Sequence, residues 1–356
     1  MKDKVLMKGN EALAEAAIRG GCRYYFGYPI TPQNEVPAYM SKRLPEVGGV
    51  FIQAESETAS INMVYGACAS GARAMTSSSS PGISLMQEGI SYIAGSEVPA
   101  VIINVMRGGP GLGNISPSQA DYLQSVKGGG HGDYNVIIFA PSTVQELADY
   151  AYDSFDVAFK YRNPVMILAD GVLGQISEGV ILPEFKEIKD APEWALGKGK
   201  ERNIIRSLFL NPEDRLTTHN IHLQEKYRRI EKEIQYFEEY KCEDAEYLIV
   251  AYGTTSRICK SAIDNMRNNG IKIGLFRPIS LWPFPYAKLK ENAASKETLF
   301  VVEMAYNQLE QDVRIGVEGA APIERLNKLG GSVFNEEEIV DFISNSITLK
   351  GNKYVG

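Results

Sequence analysis

The chain has 356 residues, of which 44% are hydrophobic and 23% charged, so it can bury a substantial core and is long for one domain. We therefore expect two domains. The formal net charge of −7, without long basic clusters, argues against nucleic acid or an anionic membrane surface as the main partner.

The cysteines and the N-terminus bound the cellular setting. Cysteines stand at positions 22, 68, 242 and 259 without short-range pairs, so they form neither a zinc nor an iron–sulfur ligand pattern. We expect no metal site in this chain. No apolar stretch approaches the length of a membrane span, and the first residues lack the apolar segment of a secretory signal. These observations predict a cytoplasmic protein without a membrane partner.

The first half of the chain alternates between short β-rich apolar runs and helix-length segments, from Gly9 to about Asp170. One helix is expected to begin at Ser142, whose side chain would cap it while Gln145 reaches back in a capping box. The alternation predicts an α/β unit with a mostly parallel sheet covered by helices on both faces. The candidate strands are residues 24–26, 50–53, 74–77, 98–105, 136–140 and 165–169.

The composition changes near residue 178 and becomes rich in charge up to residue 243. Residues 223–240 are predicted to form an exposed or partner-facing helix within this connector. A second α/β pattern begins at Ala245, with candidate strands at 247–252, 272–276 and 299–303 and a helix after Gly253. We therefore divide the chain into a first domain (1–180), a charged connector with a helix (181–244) and a smaller domain (245–356).

A turn of unusual composition follows the first predicted strand: Tyr28, Pro29, Ile30, Thr31 and Pro32. Pro29 holds the backbone extended, and a threonine followed by proline is typical of the N-cap and first turn of a helix. A hydroxyl and free amides would then lie at a strand end, where α/β sheets bind ligands. An ordinary capped turn is the alternative for a Thr-Pro pair alone.

A second candidate is Arg107, which ends an apolar strand and enters a glycine-rich loop. A guanidinium at a strand end can bind a carboxylate through two hydrogen bonds, although a surface arginine is the plain alternative. The run from residue 76 to Gly82 offers hydroxyls, among them Ser79 and Ser80, beside a helix start. That run suits an anion or a cofactor ring, or is a polar turn.

The other glycine cluster, at residues 128–133, contains His131, the histidine that lies outside the connector. A single histidine in a loop is more often structural than catalytic. We keep it as a candidate proton donor or substrate contact. Gln119 and Asp121 are candidates on the same terms.

Taken together, the motifs resemble the alpha-type (pyrimidine-binding) subunit of the 2-oxoacid:ferredoxin oxidoreductases. The resemblance implies a thiamine-diphosphate-binding (pyrimidine-domain) parallel sheet flanked by helices, plus a smaller transketolase C-terminal-like α/β domain. Residues 28–35, 53–57 and 75–84 look most like the 2-ketoisovalerate (3-methyl-2-oxobutanoate) branch. The segments that carry the family resemblance are 7–12, 28–32, 53–60, 80–88, 107–110 and 274–285.

The resemblance implies oxidative decarboxylation of a branched-chain 2-oxo acid to acyl-CoA and CO2, with reduction of ferredoxin; 2-oxoglutarate and pyruvate are alternative substrates. A carboxylate must hold the aminopyrimidine ring of the cofactor, and both Glu55 and Glu57 follow a predicted strand. Counting back from residues 65–67, which resemble a family helix, favours Glu57. The implied catalytic residues are Glu57, Thr31 and Arg107; the implied cofactor contacts are Glu57, Tyr28, Pro29, Ile30, Ser80 and Gly82; the implied substrate contacts are Thr31, Arg107, Ser79 and His131.

Half of the expected cofactor site is missing from the sequence. Thiamine enzymes hold Mg²⁺ through a Gly-Asp-Gly motif, and neither Gly132-Asp133 nor Asp170-Gly171 continues in that way. The resemblance therefore implies a heteromer, in which a beta-type subunit binds the diphosphate and Mg²⁺ while gamma and ferredoxin-like subunits hold iron–sulfur clusters. Its implied reactants are the 2-oxo acid, coenzyme A and ferredoxin. Two other functions stay open: a non-catalytic assembly subunit, and a free-standing CoA- or nucleotide-binding α/β protein.

Overall fold

The computed structural model describes residues 3–188, 190–198, 202–209 and 212–353. The strands are β1 (Val5–Lys8), β2 (Tyr24–Gly27), β3 (Val50–Gln53), β4 (Ala74–Ser78), β5 (Val101–Met106), β6 (Ile137–Phe139), β7 (Val165–Asp170), β8 (Ser177–Val180), β9 (Phe237–Tyr240), β10 (Tyr247–Val250), β11 (Ile273–Pro278), β12 (Ser280–Trp282), β13 (Thr298–Glu303) and β14 (Ile323–Asn327). The helices are α1 (Gly9–Arg19), α2 (Glu35–Glu46), α3 (Glu57–Ala69), α4 (Ser80–Gly95), α5 (Tyr122–Val126), α6 (Val144–Tyr161), α7 (Gly171–Gln175), α8 (Pro212–Glu233), α9 (Gly253–Asn268), α10 (Tyr286–Ala293), α11 (Leu309–Val317) and α12 (Glu336–Lys353).

The first sheet has the strand order β12-β6-β7-β5-β4-β2-β3, and its strands are parallel except for β12. The strands predicted for this half of the chain are confirmed, although β5 begins at Val101 rather than at residue 98. The strand order reverses next to β2, because β3 lies on one side of it and β4 on the other. Such a switch point opens a crevice at the carboxyl ends of β2 and β4.

Helices cover both faces of this sheet, as predicted. On one face α1, α2 and α6 bury Ile18, Val36 and Leu147. On the other face α3 and α4 bury Ile61 and Ile83. Because both faces are covered, β5 and β7 are buried along their whole length and consist mostly of apolar residues.

The second sheet has the order β14-β13-β10-β11-β9, with β9 antiparallel to β11 and the other pairs parallel. The three strands predicted here are also confirmed. One face of this sheet shares a continuous apolar core with the first sheet. Two strands cross the predicted division of the chain, since β9 joins the second sheet and β12 the first. The division at residues 180 and 244 stays a proposal.

The charged connector behaves differently from the prediction. The helix predicted over 223–240 ends at Glu233, and residues 237–240 form β9 instead. The helix is not simply exposed or partner-facing, because Leu223, Tyr227 and Ile230 are buried against the first sheet. Their spacing of four and three residues places them on one face of α8. Most charged residues of the helix lie on the other faces, although Lys226 is buried beside Tyr227.

One predicted helix start is also shifted. Helix α6 begins at Val144, and its N-cap is Thr143 rather than Ser142, because Thr143 Oγ1 accepts a hydrogen bond from Glu146 N at 3.1 Å. Glu146, and not Gln145, reaches back and accepts from Ser142 N at 2.8 Å. The buried Arg277 of β11 binds the Glu146 carboxylate at 2.6 Å and fixes that choice.

None of the described helices combines the length and the apolarity that crossing a membrane requires.

Candidate active site

The carboxyl ends of β5, β4, β2 and β3 lie along one edge of the first sheet, because these strands are parallel neighbours. The segments after them carry the predicted site residues: Arg107 follows β5, Ser79 follows β4, Thr31 follows β2 and Glu57 follows β3. The crevice between β4 and β2 lies in the middle of this row. The fold therefore gathers four separate sequence motifs at one edge.

Glu57 is the first residue of α3 and is buried, with 6% of its surface exposed. The helix does not depend on it for capping, because Ser56 Oγ accepts from Ala59 N at 3.1 Å. The Glu57 carboxylate makes no hydrogen bond or ion pair with any described residue. Glu55, by contrast, is exposed. A carboxylate only accepts hydrogen bonds, and no described residue donates one to Glu57, so this side chain is suited to accept a hydrogen bond from a ligand.

The glycine at position 82 lets the backbone of α4 pack closely against this carboxylate. A Cβ atom at position 82 would lie 2.0 Å from Ser78 Oγ and 2.6 Å from Glu57 Oε1. Gly82 belongs to the first turn of α4, and its N–H donates to Ser79 O at 2.7 Å. The absence of a side chain thus allows the Ser78 hydroxyl and the Glu57 carboxylate to approach the first turn of α4.

Arg107 is 9% exposed and is held by the backbone of two loops. Its Nη1 donates to Thr31 O at 2.9 Å, and its Nη2 donates to Leu112 O at 3.1 Å. Its Nε is buried without a partner among the described residues. Thr31 Oγ1 accepts from Asn34 Nδ2 at 3.3 Å. The structure therefore brings Thr31 and Arg107 into direct contact and leaves guanidinium hydrogens for a bound anion.

Ser80 joins the Arg107 loop to a second carboxylate. Its Oγ accepts from Arg107 N at 3.0 Å and donates to Asp121 Oδ2 at 2.6 Å. Asn104 Nδ2 also donates to Asp121 Oδ2, at 2.9 Å. Burial raises the pKa of the Asp121 carboxyl above its ordinary value, and the Ser80 and Asn104 hydrogen bonds oppose the rise. The Ser80 hydroxyl is thus engaged within the chain.

The turn after β2 differs from its prediction in one respect. Thr31 does not cap a helix, since α2 begins at Glu35 after a turn in which Gln33 N donates to Ile30 O at 3.1 Å. Tyr28 and Pro29 are exposed, and Ile30 is half-buried. These three residues lie on the edge that carries Thr31, and their predicted cofactor contacts stay predictions.

His131 lies apart from the other predicted site residues. It lines a cavity with Ser91 and Gly95, at the far end of α4 from Ser80. Eleven residues of α-helix separate Ser80 from Ser91, a distance of about 16 Å. The structure therefore does not bring His131 to the edge that carries Thr31, Glu57 and Arg107.

Several polar groups at the edge were not predicted. Ser78 and Asn104 each hold a buried oxygen without a partner among the described residues, as Gln33 does for its side-chain nitrogen. The same is true of the hydroxyl of Ser79, which was predicted. The sequence did contain a signal for Asn104, because a single amide side chain inside an otherwise apolar buried strand requires hydrogen-bond partners. Serine 78 carried no such signal beyond its position in a serine run.

The surroundings of the site are apolar and open. Leu85 of α4 and Leu112 and Ile115 of the Arg107 loop are exposed, by 56%, 81% and 63%. Within the described ranges, no group of three or more His, Cys, Asp and Glu side chains could hold a metal ion. Polar side chains without partners, next to exposed apolar side chains, are typical of a ligand site that borders a protein interface.

Two mostly parallel sheets covered by helices, with polar side chains gathered at the strand ends of the first sheet, define an α/β protein with a ligand site at that edge. The family model "Pyruvate flavodoxin/ferredoxin oxidoreductase, thiamine diP-bdg" matches residues 15–244, and "Pyruvate:ferredoxin oxidoreductase core domain II" matches residues 245–339. The ketoisovalerate oxidoreductase subunit VorB of Methanothermobacter marburgensis is 50% identical over 339 residues, which cover 94% of this chain and 96% of the relative. The chain therefore belongs to the 2-oxoacid:ferredoxin oxidoreductases, as an alpha-type subunit of the VorB branch.

Other similar proteins agree with this placement. The 2-oxoglutarate synthase subunit KorA of Methanothermobacter thermautotrophicus is 35% identical over 375 residues, covering 96% of this chain and 99% of the relative. The structure of 2-oxoglutarate:ferredoxin oxidoreductase from Magnetococcus marinus, with 2-oxoglutarate, coenzyme A and succinyl-CoA bound, is 28% identical with a TM-score of 0.87. The match covers 97% of this chain and 66% of that chain. A split-gene transketolase, 14% identical with a TM-score of 0.60 over 97% of this chain and 99% of its own, shares the fold alone.

Proposed function

We propose that this chain supplies the aminopyrimidine half of a thiamine diphosphate site in a 2-ketoisovalerate:ferredoxin oxidoreductase. The observation that carries the proposal is Glu57, a buried residue at the strand-end edge whose carboxylate has no partner among the described residues and lies against Gly82. This donor-free carboxylate fits the polar side of an aminopyrimidine ring, because it can accept a hydrogen bond from a ring nitrogen. When bound, thiamine diphosphate supplies the nucleophilic carbon on which a 2-oxo acid is decarboxylated.

The remaining chemistry of this chain is the binding and orientation of the 2-oxo acid. Arg107 carries a fixed positive charge that suits the substrate carboxylate, and two backbone carbonyls set the plane of its guanidinium. Thr31 contacts Arg107 through its carbonyl and presents a hydroxyl that suits the 2-oxo group. We place Ser79 beside the substrate for the same reason, since its buried hydroxyl lacks a partner in the described chain. Orientation of this kind contributes to the rate without any covalent role.

The substrate that we favour is 3-methyl-2-oxobutanoate. The relative named ketoisovalerate oxidoreductase subunit is 50% identical, against 35% for the relative named 2-oxoglutarate synthase subunit. The loop after Arg107 carries the apolar side chains Leu112 and Ile115, which suit a branched apolar substrate. Because one methylene discriminates by only ~1–3 kcal/mol in an apolar pocket, related 2-oxo acids should react more slowly rather than not at all.

Partner chains complete the enzyme in this proposal. A beta-type subunit binds the diphosphate and Mg²⁺, and gamma and ferredoxin-like subunits hold the iron–sulfur clusters that pass electrons to ferredoxin. The exposed Leu85, Leu112 and Ile115 support a partner at this edge, since such side chains mark protein interfaces. We further infer a cytoplasmic location, which is supported by the four cysteines, all of them buried thiols without a disulfide.

The test uses the complex purified through this chain. We expect reduction of a viologen dye that depends on 3-methyl-2-oxobutanoate and coenzyme A, with lower kcat/KM for 2-oxoglutarate and pyruvate. Glu57→Gln keeps the side-chain shape and should lower the rate at least about 100-fold in the assembled complex. Glu55→Gln, two residues away and exposed, is the matched control and should retain activity.

Four results would contradict the proposal. Full activity of Glu57→Gln would show that another group holds the ring. A higher kcat/KM for 2-oxoglutarate or pyruvate would overturn the substrate. An assembled complex without dependence on any 2-oxo acid would favour an assembly subunit, and tight binding of coenzyme A to this chain alone would favour a free-standing CoA-binding protein.

A further inference from the structure

The carboxyl ends of the second sheet's parallel strands are occupied by a side chain from the part of the chain built on the first sheet, here called the first unit; the part built on the second sheet is the second unit. Tyr252 and Met304 follow β10 and β13, at the edge where α/β sheets ordinarily bind ligands. Gln119, from the loop between β5 and α5, inserts there. Its Nε2 donates to Tyr252 O at 2.9 Å, and its Oε1 accepts from Met304 N at 2.9 Å. Thr255 Oγ1 donates to the same oxygen at 2.8 Å.

The backbone of Gln119 is held in the same way. Its N–H donates to Met304 O at 2.9 Å, and its carbonyl accepts from the Tyr252 hydroxyl at 3.2 Å. Gln119 is fully buried, with 0% of its surface exposed. The residue therefore makes five hydrogen bonds to the second unit, and both ends of its side-chain amide are engaged. This anchor explains why Gln119, although near the site in sequence, is not available to a substrate.

The anchored loop begins and ends at the candidate site. Its first residue is Arg107, which pairs with Pro117 in an isolated β-bridge two residues before Gln119. Two residues after Gln119 lies Asp121, which accepts a hydrogen bond from Ser80 Oγ at 2.6 Å. Because the peptide tether on either side is so short, a shift of Gln119 must move Pro117 and Asp121 with it.

We propose that Gln119 is a positioning residue for substrate binding, through which the second sheet fixes the loop that orients Arg107 and Asp121. The inference rests on the proposed function for the role of Arg107 in binding the 2-oxo acid. In this proposal the second unit has a structural role in substrate binding. Its strand ends, where α/β sheets ordinarily bind ligands, hold a loop of the substrate site instead. Loss of the anchor should weaken substrate binding before it affects turnover.

The test is Gln119→Met in the assembled complex, which keeps the side-chain length and removes both amide groups. We expect KM for the 2-oxo acid to rise about tenfold while kcat stays within about twofold of wild type, because ground-state orientation is lost. Amide hydrogen exchange of peptides from residues 108–121 should become faster in the same complex. This second readout does not depend on turnover.

Arg277→Lys is the matched control for general loosening between the two units. Arg277 is buried and joins them through Glu146 and Ser142, at 2.6 and 2.8 Å, without touching the loop. We expect this variant to lower the melting temperature while KM and loop exchange stay at wild-type values. A rise in KM with Arg277→Lys equal to that with Gln119→Met would overturn the inference.

A milder variant covers the case in which Gln119→Met does not assemble. Thr255→Val removes one of the two donors to Gln119 Oε1 and should raise KM about twofold, with a smaller increase in loop exchange. Wild-type KM and wild-type exchange in the Gln119 and Thr255 variants that assemble would overturn the inference. Arg107→Lys separates the two proposals. An unchanged KM in Arg107→Lys would contradict the role of Arg107 in substrate binding. A raised KM in Arg107→Lys together with wild-type KM in the Gln119 variants would contradict only the positioning role of Gln119.

Discussion

Gly82→Ala tests the geometry of the candidate cofactor site. The added Cβ would stand 2.0 Å from Ser78 Oγ and 2.6 Å from Glu57 Oε1, so either α4 or the Glu57 carboxylate must move. Overpacking costs about 1–3 kcal/mol, and the gain in helix propensity from glycine to alanine returns about 1 kcal/mol. The net loss of stability is therefore small, up to about 2 kcal/mol.

The effect on the cofactor should be larger. A hydrogen bond to a charged group is worth about 1.5–3 kcal/mol, so displacement of Glu57 should weaken thiamine diphosphate binding roughly 10- to 100-fold. Calorimetric titration of the assembled complex measures this affinity, and thermal unfolding measures the stability. Gly95→Ala, at the end of the same helix, is the control, because a Cβ there meets nothing within 4 Å. Wild-type cofactor affinity in Gly82→Ala would show that the position of the Glu57 carboxylate beside Gly82 does not matter for cofactor binding.

Two further predictions concern buried carboxylates. Asp170 caps α7 by accepting from Val172 N and Leu173 N at 2.9 and 3.2 Å, and it also accepts hydrogen bonds from Thr254 in the first turn of α9. Asp170→Ala should therefore cost roughly 1–4 kcal/mol of unfolding free energy. An unchanged melting temperature would contradict this. Burial raises the pKa of Asp121, so the folded chain binds this proton more readily than the unfolded chain, and the contribution of Asp121 to stability is lost as pH rises from about 3.9 through the raised value. In thermal scans across this pH range, wild type should lose stability relative to Asp121→Asn as pH rises; a difference in melting temperature that does not change with pH would contradict this.

The strands of the first sheet could be predicted because they are short and mostly buried. Val101–Met106 and Val165–Asp170 are covered on both faces, so almost every position is apolar and the run is visible without knowledge of the fold. Val50–Gln53 lies at the edge of the sheet and is partly exposed, yet its bounds were predicted correctly. In that case the β-branched and aromatic residues were the signal.

Helix ends were predicted less well, because distant residues decide them. Ser142 with Gln145 and Thr143 with Glu146 are equally good capping pairs in the sequence. The structure uses the second pair because Arg277, 131 residues away, binds Glu146. No local pattern contains that contact.

The candidate site could be predicted residue by residue but not as an arrangement. The burial of Glu57 and the exposure of Glu55 depend on the packing of α4 against α3. The residues next to the two glutamates in the sequence do not reveal that packing. The separation of His131 from the site depends on the length of α4 between them. Gln119, predicted as a possible proton donor or substrate contact, instead uses its side-chain amide in hydrogen bonds to residues at the strand ends of the second sheet, which only the tertiary structure shows.

The central claim is that this chain holds half of a thiamine diphosphate site through Glu57. Calorimetry should measure cofactor binding, with Mg²⁺ present, to this chain alone, to the beta-type partner alone, and to both together with either wild type or Glu57→Gln. We expect tight binding only when both chains are present, and its loss with Glu57→Gln in a complex that still assembles. Tight binding by either chain alone, or equal affinity with Glu57→Gln, would contradict it.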